Sequence, residues 1–471
     1  MKMDTVDIIL KRIEQFELKQ TFVIDAASGT EYSYEAIYQR AGRIGSNLRN
    51  RGISELVVCM ENSVELLTVY FAALLYQIIV IPVDPEKSED EIAAIRKIHS
   101  RAIYMERDSL EQILSEGGQE TTRGFKDVDY DSLFLITYTS GSTGKPKGVM
   151  HSAGNLFLSA SAFGESMQYG EHTVLAHVMP MTYMAGILNS IFLPFVMGGK
   201  VVVFPRFNMK SAFGFWSNVV RYEVNTFWLS PTMLRIIDII DAKGAYKDYL
   251  HRVNAAVSVG TAPLYQDLRD KIENKYSIRL CQSYGLSETL FLTSERRERG
   301  EGLDSAGSLL PGVELRLDGD GEIQVSVPWM FLGYAGSDGQ GEFSDAYYRT
   351  GDLGYMKDGC LFINGRKKDL IIRGGFNINP NDIQEYLQSV DGVSENAVLS
   401  CVRQGEEQIV CCYTGSREQD IHLLNEGLEK ALGRHYKLDY LVKLTEMPKN
   451  LNGKVDRQKL QELLKKDDFK I

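Results

Sequence analysis

Short apolar runs that read as buried strands alternate with helix-length stretches through much of the chain. That alternation limits the fold more than any single motif. ELVVCM at 55–60 and IIVIPV at 78–83 flank an apolar helix-length run at 64–76. Antiparallel neighbours need only a tight turn between them, whereas strands separated by a helix return parallel and are covered on both faces. Upstream, TFVID (21–25) and TEYSY (30–34) bracket Ala27-Ser28-Gly29, the pattern of a hairpin. Residues 34–51 place Ile37, Ala41, Ile44 and Leu48 on one helical face. The rhythm resumes after residue 150, with a helix at 155–163 and a turn at 177–187 entering an apolar helix that runs to 196. Strands at 200–204, 225–229, 255–260 and 278–285 follow, with helices at 233–240 and 264–275. These runs predict an α/β fold whose large N-terminal domain holds two βα-type sheets.

From residue 307 the texture changes to short strands and Gly turns. VELRLDGDGEIQVSV folds about Asp318-Gly319-Asp320-Gly321 as a hairpin, so a small β-subdomain is expected up to about residue 364. At 366–373 the chain turns basic (RKKDLIIR). A helix at 381–389, strands VLSCV and QIVCCY, and a helix at 421–432 then suggest a compact α+β module. The division expected is a large domain over 1–365 and a small one over 366–471, with KKDDFKI as a solvated tail. A chain of 471 residues exceeds what one core supports, which agrees. The net charge of −11 leaves no basic footprint for nucleic acid and disfavours anionic membranes. Six scattered cysteines with no CxxC pair point to buried thiols in a reducing compartment. The N-terminus reads as an amphipathic helix without a signal core, and no run approaches 18 apolar residues, so the expectation is a cytoplasmic protein without membrane insertion.

The chemistry begins at YTSGSTGKPKG, 138–148, which follows the apolar run LFLI at 133–136. A strand that opens into a loop of glycines, hydroxyls and lysines is a place to hold phosphate: bare backbone approaches the anion, N–H and O–H groups donate to it, and the ammonium groups neutralise it. A Walker A loop is excluded, because Gly141 and Gly144 are two residues apart and Pro146 follows Lys145 where that loop has Ser or Thr. Four further segments carry candidate groups: VGTAP (259–263), SYGLSE (283–288), YRTGDLGY (348–355) and PKNLNGKVDR (448–457). Alone, each reads as well as a turn or a surface charge. In this order, with the phosphate loop, they resemble the adenylate-forming superfamily of acyl- and aryl-CoA synthetases, nonribosomal adenylation domains and luciferases. The N-terminal turn at 82–85, Pro-Val-Asp-Pro, extends the resemblance to nearly the whole chain, although Gln77 stands where the family usually has Gly.

The resemblance implies roles residue by residue. Thr139, Ser140, Gly141, Ser142, Thr143, Gly144 and Lys145 would cradle the phosphates of ATP. Gly260, Thr261 and Ala262 would line the adenine pocket, with Thr261 replacing a Gly. Tyr284 would stack on adenine beside Gly285, Ser287 would donate to phosphate, and Glu288 would hold Mg2+, for which one carboxylate suffices. Asp352 would bind the ribose with Arg366 beside it. Lys368 would mark the hinge of the small domain. Lys454 would bridge carboxylate and α-phosphate during adenylation, where anions are brought together and cationic stabilisation is needed. The implied activity is ATP-dependent activation of a carboxylic acid as acyl-AMP with pyrophosphate release, then transfer to a thiol.

The acid pocket starts at PMTYMAG, 180–186. Amino-acid-activating relatives place an Asp there for the substrate ammonium, and Thr182-Tyr183 offers no carboxylate, so an α-amino acid is disfavoured. Tyr183, Met184, Ile187, Trp228, Gly260 and Leu286 suit an apolar acyl or aryl group, while Met181 reads as core. For the acceptor, Gly374 and Gly375 in RGGFNINP look like the CoA-ligase form, although Phe376 and Asn379 depart from it, and the C-terminal motif is equally at home in enzymes that load acyl or peptidyl carrier proteins. CoA is the first expectation and carrier-protein phosphopantetheine the alternative. Two other classes remain: a phosphotransferase, which would form ADP, and a non-catalytic nucleotide-binding relative, against which Lys454, Glu288 and Asp352 argue.

Overall fold

The computed structural model describes residues 2–115, 123–139, 147–297, 305–336, 343–373, 376–403, 406–450 and 454–465. The first sheet has six described strands. Strands β1 (Glu55–Val58) and β2 (Ile79–Pro82) pair in parallel, Glu55 opposite Ile79 through Val58 opposite Pro82. The helix Val64–Tyr76 makes the crossover. It is apolar on every side, and all its residues but Glu65 are buried, each large side chain contributing about 1.5–3 kcal/mol. Ser63 caps its first turn, and Gln77 ends it in the left-handed region at φ 54°, a conformation that favours glycine. Strand β3 (Leu133–Thr139) adds parallel to β2. Strand β4 (Lys147–Ser152) then runs antiparallel to β3, Thr139 opposite Lys147. The segment expected to hold phosphate therefore falls between two antiparallel strands, unlike a Walker A loop, which lies between a strand and a helix.

The second sheet has fourteen described strands. Its parallel half contains β5 (Thr226–Leu229) beside β6 (Ala256–Val259), which pairs with the start of β7 (Leu280–Leu286). The far half of β7 turns to antiparallel pairing with β8 (Leu290–Ser294), Ser283 opposite Ser294. Through β8 the β-rich stretch joins the same sheet. It includes β9 (Gly333–Tyr334), which instead crosses to the first sheet beside β4, and the long pair β10 (Tyr347–Lys357) and β11 (Cys360–Arg366). The expected hairpin is present as Glu314–Leu317 against Glu322–Ser326. One helix differs from expectation: Ala185–Phe192 has π-type hydrogen bonding before an α turn at Leu193–Met197.

Residues beyond Ile371 build their own apolar clusters around Ile378, Ile383, Leu387, Val398 and Leu428, and around Leu399, Val410 and Leu460. Glu395–Arg403 and Glu406–Thr414 are antiparallel, and Tyr440–Lys443 adds in parallel. The helix Arg457–Lys465, which follows the C-terminal motif, was not expected. The fold is thus a large N-terminal domain of two sheets followed by a smaller α+β domain. Cys281, Cys360, Cys411 and Cys412 are buried thiols. No described helix is long and apolar enough to cross a membrane.

Candidate active site

The Y-G-x-x-E segment sits at the turn between β7 and β8. Leu286 pairs with Leu290 and its N–H donates to the Thr289 hydroxyl, which folds Ser287 and Glu288 into a tight tip. A Cβ on Gly285 would lie 1.9 Å from the Leu290 carbonyl oxygen, so only glycine fits. Behind the tip, Arg269 and Glu295 are 2% and 1% exposed. Arg269 donates to Glu295 at 2.8 Å and to the Leu280 carbonyl at 3.0 Å, while the Gln282 N–H donates to Glu295 at 2.7 Å. This buried pair braces the strand that carries Tyr284.

Tyr284 donates its hydroxyl to Asp352 Oδ2 at 2.7 Å. Strands β10 and β11 place Asp352 opposite Arg366, whose Nε lies 2.8 Å from Asp352 Oδ1. Asp352 is 4% exposed. Burial raises its carboxyl above the ordinary carboxylate range, while Arg366, Tyr284 and Lys454 pull it back. Burial also raises the Tyr284 phenol, with Asp352 next in effect. The turn before Asp352 is held from below. Glu322, 2% exposed, accepts from Gly351 N–H at 3.2 Å and from Arg349 at 2.6 Å. It also accepts from Lys367 at 3.3 Å, next to the expected hinge.

Glu288 accepts from the Tyr334 hydroxyl at 2.8 Å, and Lys147 Nζ lies 4.9 Å from the centre of the Tyr334 ring. His151, fully buried, bonds through Nε2 to the Ser287 carbonyl at 2.6 Å. This makes Nε2 the protonated nitrogen and leaves Nδ1 to accept from Asn155 at 3.4 Å. Tyr334 and His151 were missed in the sequence because no motif contains them. Both come from the β4–β9 pairing, which brings residues far apart in sequence beneath the Ser287-Glu288 tip. The carboxylate of Glu288 keeps acceptor capacity beyond Tyr334, which fits a Mg2+ ligand, since Mg2+ takes one or two carboxylates plus phosphate oxygens.

Gly260 follows β6, and its N–H donates to the Leu229 carbonyl at 3.2 Å; Ala262 is half-buried. Thr261 takes a left-handed conformation at φ 70°, and its Oγ1 is buried with no partner among the described residues. In the segment expected to start the acid pocket, Asn62 donates to the Met179 carbonyl and accepts from Met181 N–H, both at 2.8 Å, and Tyr70 donates to the Met181 carbonyl at 2.6 Å. Met181 is fully buried, as core. Met184, Ile187 and Trp228 are buried too, whereas Tyr183 and Leu286 are partly exposed. Thr139 ends β3. Ser140, Gly141, Ser142, Thr143, Gly144 and Lys145 lie outside the described residues, as do Gly374 and Gly375. Lys368 is exposed, in the turn Lys367–Asp369. Lys454 is exposed, with its backbone N–H on Asn450 Oδ1 at 3.0 Å.

Tyr284, Asp352, Arg366, Glu288 and Lys454 thus share one electrostatic neighbourhood, contributed by both domains. The pattern of the AMP-binding enzymes matches residues 10–335. This chain belongs to the AMP-binding enzyme family. The 2-succinylbenzoate–CoA ligase of Bacillus subtilis is 29% identical over 285 residues, 58% of this chain and 56% of that one. The mitochondrial malonate–CoA ligase ACSF3 of Mus musculus is 25% identical over 373 residues, 69% of this chain and 64% of that one. These matches span less than two thirds of each relative's length. Among solved structures, ATP-bound MatB from Rhodopseudomonas palustris superposes with a TM-score of 0.86. It is 23% identical, with 98% of this chain and 99% of that chain covered.

Proposed function

We propose that the protein is an AMP-forming acid–thiol ligase that uses ATP to activate a carboxylic acid and passes the acyl group to CoA. The observation that carries this reading is the convergence of the Tyr284 hydroxyl and the Arg366 guanidinium on the two oxygens of the buried Asp352 carboxylate, whose raised carboxyl Lys454 also helps to lower.

In the first step a carboxylate oxygen of the acid attacks the α-phosphorus of ATP. The acyl–O–P bond forms, the bond from the α-phosphorus to the bridging oxygen breaks, and pyrophosphate leaves. Asp352 accepts from the ribose hydroxyls, Tyr284 lies against adenine, and the loop at 139–145 with Ser287 holds the departing phosphates. Lys454 offsets the charge gathered between carboxylate and α-phosphate, a task for one preorganised cation. Glu288 would hold Mg2+, which, when bound, neutralises phosphate charge. In the second step the thiol gives its proton to water, sulfur attacks the acyl carbonyl, the C–S bond forms, the bond from that carbonyl carbon to the phosphate oxygen breaks, and AMP leaves. The small domain, taken as 366–471, would turn at Lys368 between the steps, bringing Gly374 and Gly375 to the thiol side. The RGGFNINP segment supports CoA as acceptor, and the names of the relatives point the same way. The buried thiols and the acidic net charge support a cytoplasmic setting.

The test is pyrophosphate release across fatty, aryl and amino acids, followed by thioester formation with CoA or with a carrier protein. Release with a non-amino acid and thioester with CoA is expected. No release with any acid would refute the reading, and thioester formed only on a carrier protein would move the acceptor to that partner.

A further inference from the structure

Trp228 is 3% exposed, yet its indole Nε1 has no hydrogen-bond partner among the described residues. Indole N–H groups are paired when buried in nearly all proteins, so an unpaired one calls for a cause. The ring is fixed on two sides, by Phe163 at 5.3 Å and 62° and by Phe291 at 5.2 Å and 55°. Its remaining edge faces Gly260: a Cβ there would lie 2.9 Å from Trp228 Cζ2 and 3.2 Å from Ser283 Oγ. Cζ2 and Nε1 are bonded to the same ring carbon, so the N–H lies at that edge. The next residue, Thr261, repeats the anomaly. It is β-branched at φ 70°, and its Oγ1 is buried and unpartnered among the described residues. β-branched residues persist in the left-handed region only where the surroundings impose it, most often at ligand sites.

Two buried polar groups without a partner among the described residues therefore belong to Trp228, whose edge faces Gly260, and to Thr261, the residue after that glycine, with the Ser283 hydroxyl near Gly260 in only a long 3.4 Å contact to the Val259 carbonyl. Resting on the ligase reading, we infer that Trp228 Nε1 and Thr261 Oγ1 determine acid specificity by donating to an oxygen acceptor on the acid itself, apart from the carboxylate that is activated. The substrate class is a carboxylic acid with a second oxygen function, such as a keto group or second carboxylate, on an otherwise apolar frame. A plain hydrocarbon acid would leave both donors dry and unpaired.

The experiment measures kcat/KM for pyrophosphate release by the wild-type enzyme with acids matched in length: hexanoate against 5-oxohexanoate and against hexanedioate, and 3-phenylpropanoate against 3-(2-hydroxyphenyl)propanoate. The keto, acid and phenol arms distinguish the kinds of acceptor. At least one oxygenated acid should be preferred by about tenfold or more, the discrimination expected when an analogue strands a buried donor. Trp228→Phe keeps the ring and removes the N–H, and Thr261→Val keeps the shape and removes the hydroxyl. Each should cut that preference to within about threefold, while Thr261→Ser retains it. No tenfold preference in the wild type, or a preference that survives in either donor-removing variant that folds, overturns the inference. Pyrophosphate release that favours the hydrocarbon acids overturns it while leaving the ligase reading intact, and no release with any acid overturns both.

Discussion

Replacing Asp352 by Asn separates the nucleotide role of this residue from its structural role. A carboxylate offers about four acceptor sites. Tyr284 and Arg366 occupy two of them in the structure, one on each oxygen. About two remain, the number that the two ribose hydroxyls need. A hydrogen bond to a charged acceptor contributes about 1.5–3 kcal/mol and a neutral one about 0.5–1.5. Losing charge at two such bonds then weakens nucleotide binding by about 2–3 kcal/mol, or about 30- to 150-fold. Stability should move differently. Burial raises the Asp352 carboxyl, so its contribution to stability is present below the ordinary carboxylate range and is lost as pH rises through its folded value. At neutral pH the fold holds a desolvated charge that Asn removes, and Arg366, with a side chain 47% exposed, can turn to water. D352N should therefore melt no lower than wild type at pH 7, while kcat/KM for ATP falls about 30- to 150-fold with little change in KM for the acid. A folded variant whose ATP dependence shifts by less than about threefold would refute the ribose assignment.

Lys454→Ala should slow acyl-AMP formation about 10²- to 10³-fold yet retain thioester formation from supplied acyl-AMP. Comparing the two half-reactions checks this, and equal loss in both would mean the lysine is misassigned. Arg269→Met strands Glu295 at 1% exposure and should lower unfolding free energy by about 3–5 kcal/mol in urea. Because burial already raises Glu295 despite Arg269, that deficit should grow from pH 5 to pH 8; a deficit independent of pH would contradict the pairing. Asn62→Ala removes both 2.8 Å bonds on Met179 and Met181, worth about 1–3 kcal/mol together, and should raise KM for the acid about tenfold while leaving KM for ATP within about twofold.

Most elements were legible because their periodicity is local. The helix 64–76 and the strand at 255–260 are read from runs that nothing competes with, and Ser63 supplies the cap that the pattern needs. What stayed hidden was long-range pairing. KGVMHS follows a Gly-rich loop and mixes charge with apolar residues, so its strand character comes from its partner β3 rather than from its own composition. The β-rich stretch from 307 reads as a separate unit, yet the mixed pairing of β7 carries it into the main sheet. At Ala185–Phe192 every residue is buried, so no polar face reveals that the helical repeat is wider than an α turn. The site divides in the same way. Tyr284, Asp352 and Glu288 lie in motifs, whereas Tyr334 and His151 act through contacts that only the folded sheets create.

The central claim is that a carboxylate oxygen attacks the α-phosphorus of ATP. The direct measurement supplies a turned-over acid labelled with oxygen-18 in its carboxyl group, together with ATP and CoA, and weighs the nucleotide product. If the acyl group is activated as acyl-AMP and then taken by sulfur, the bridging oxygen stays with phosphorus, and each AMP carries one labelled oxygen from the acid. AMP without label, or ADP as the product, would contradict the account.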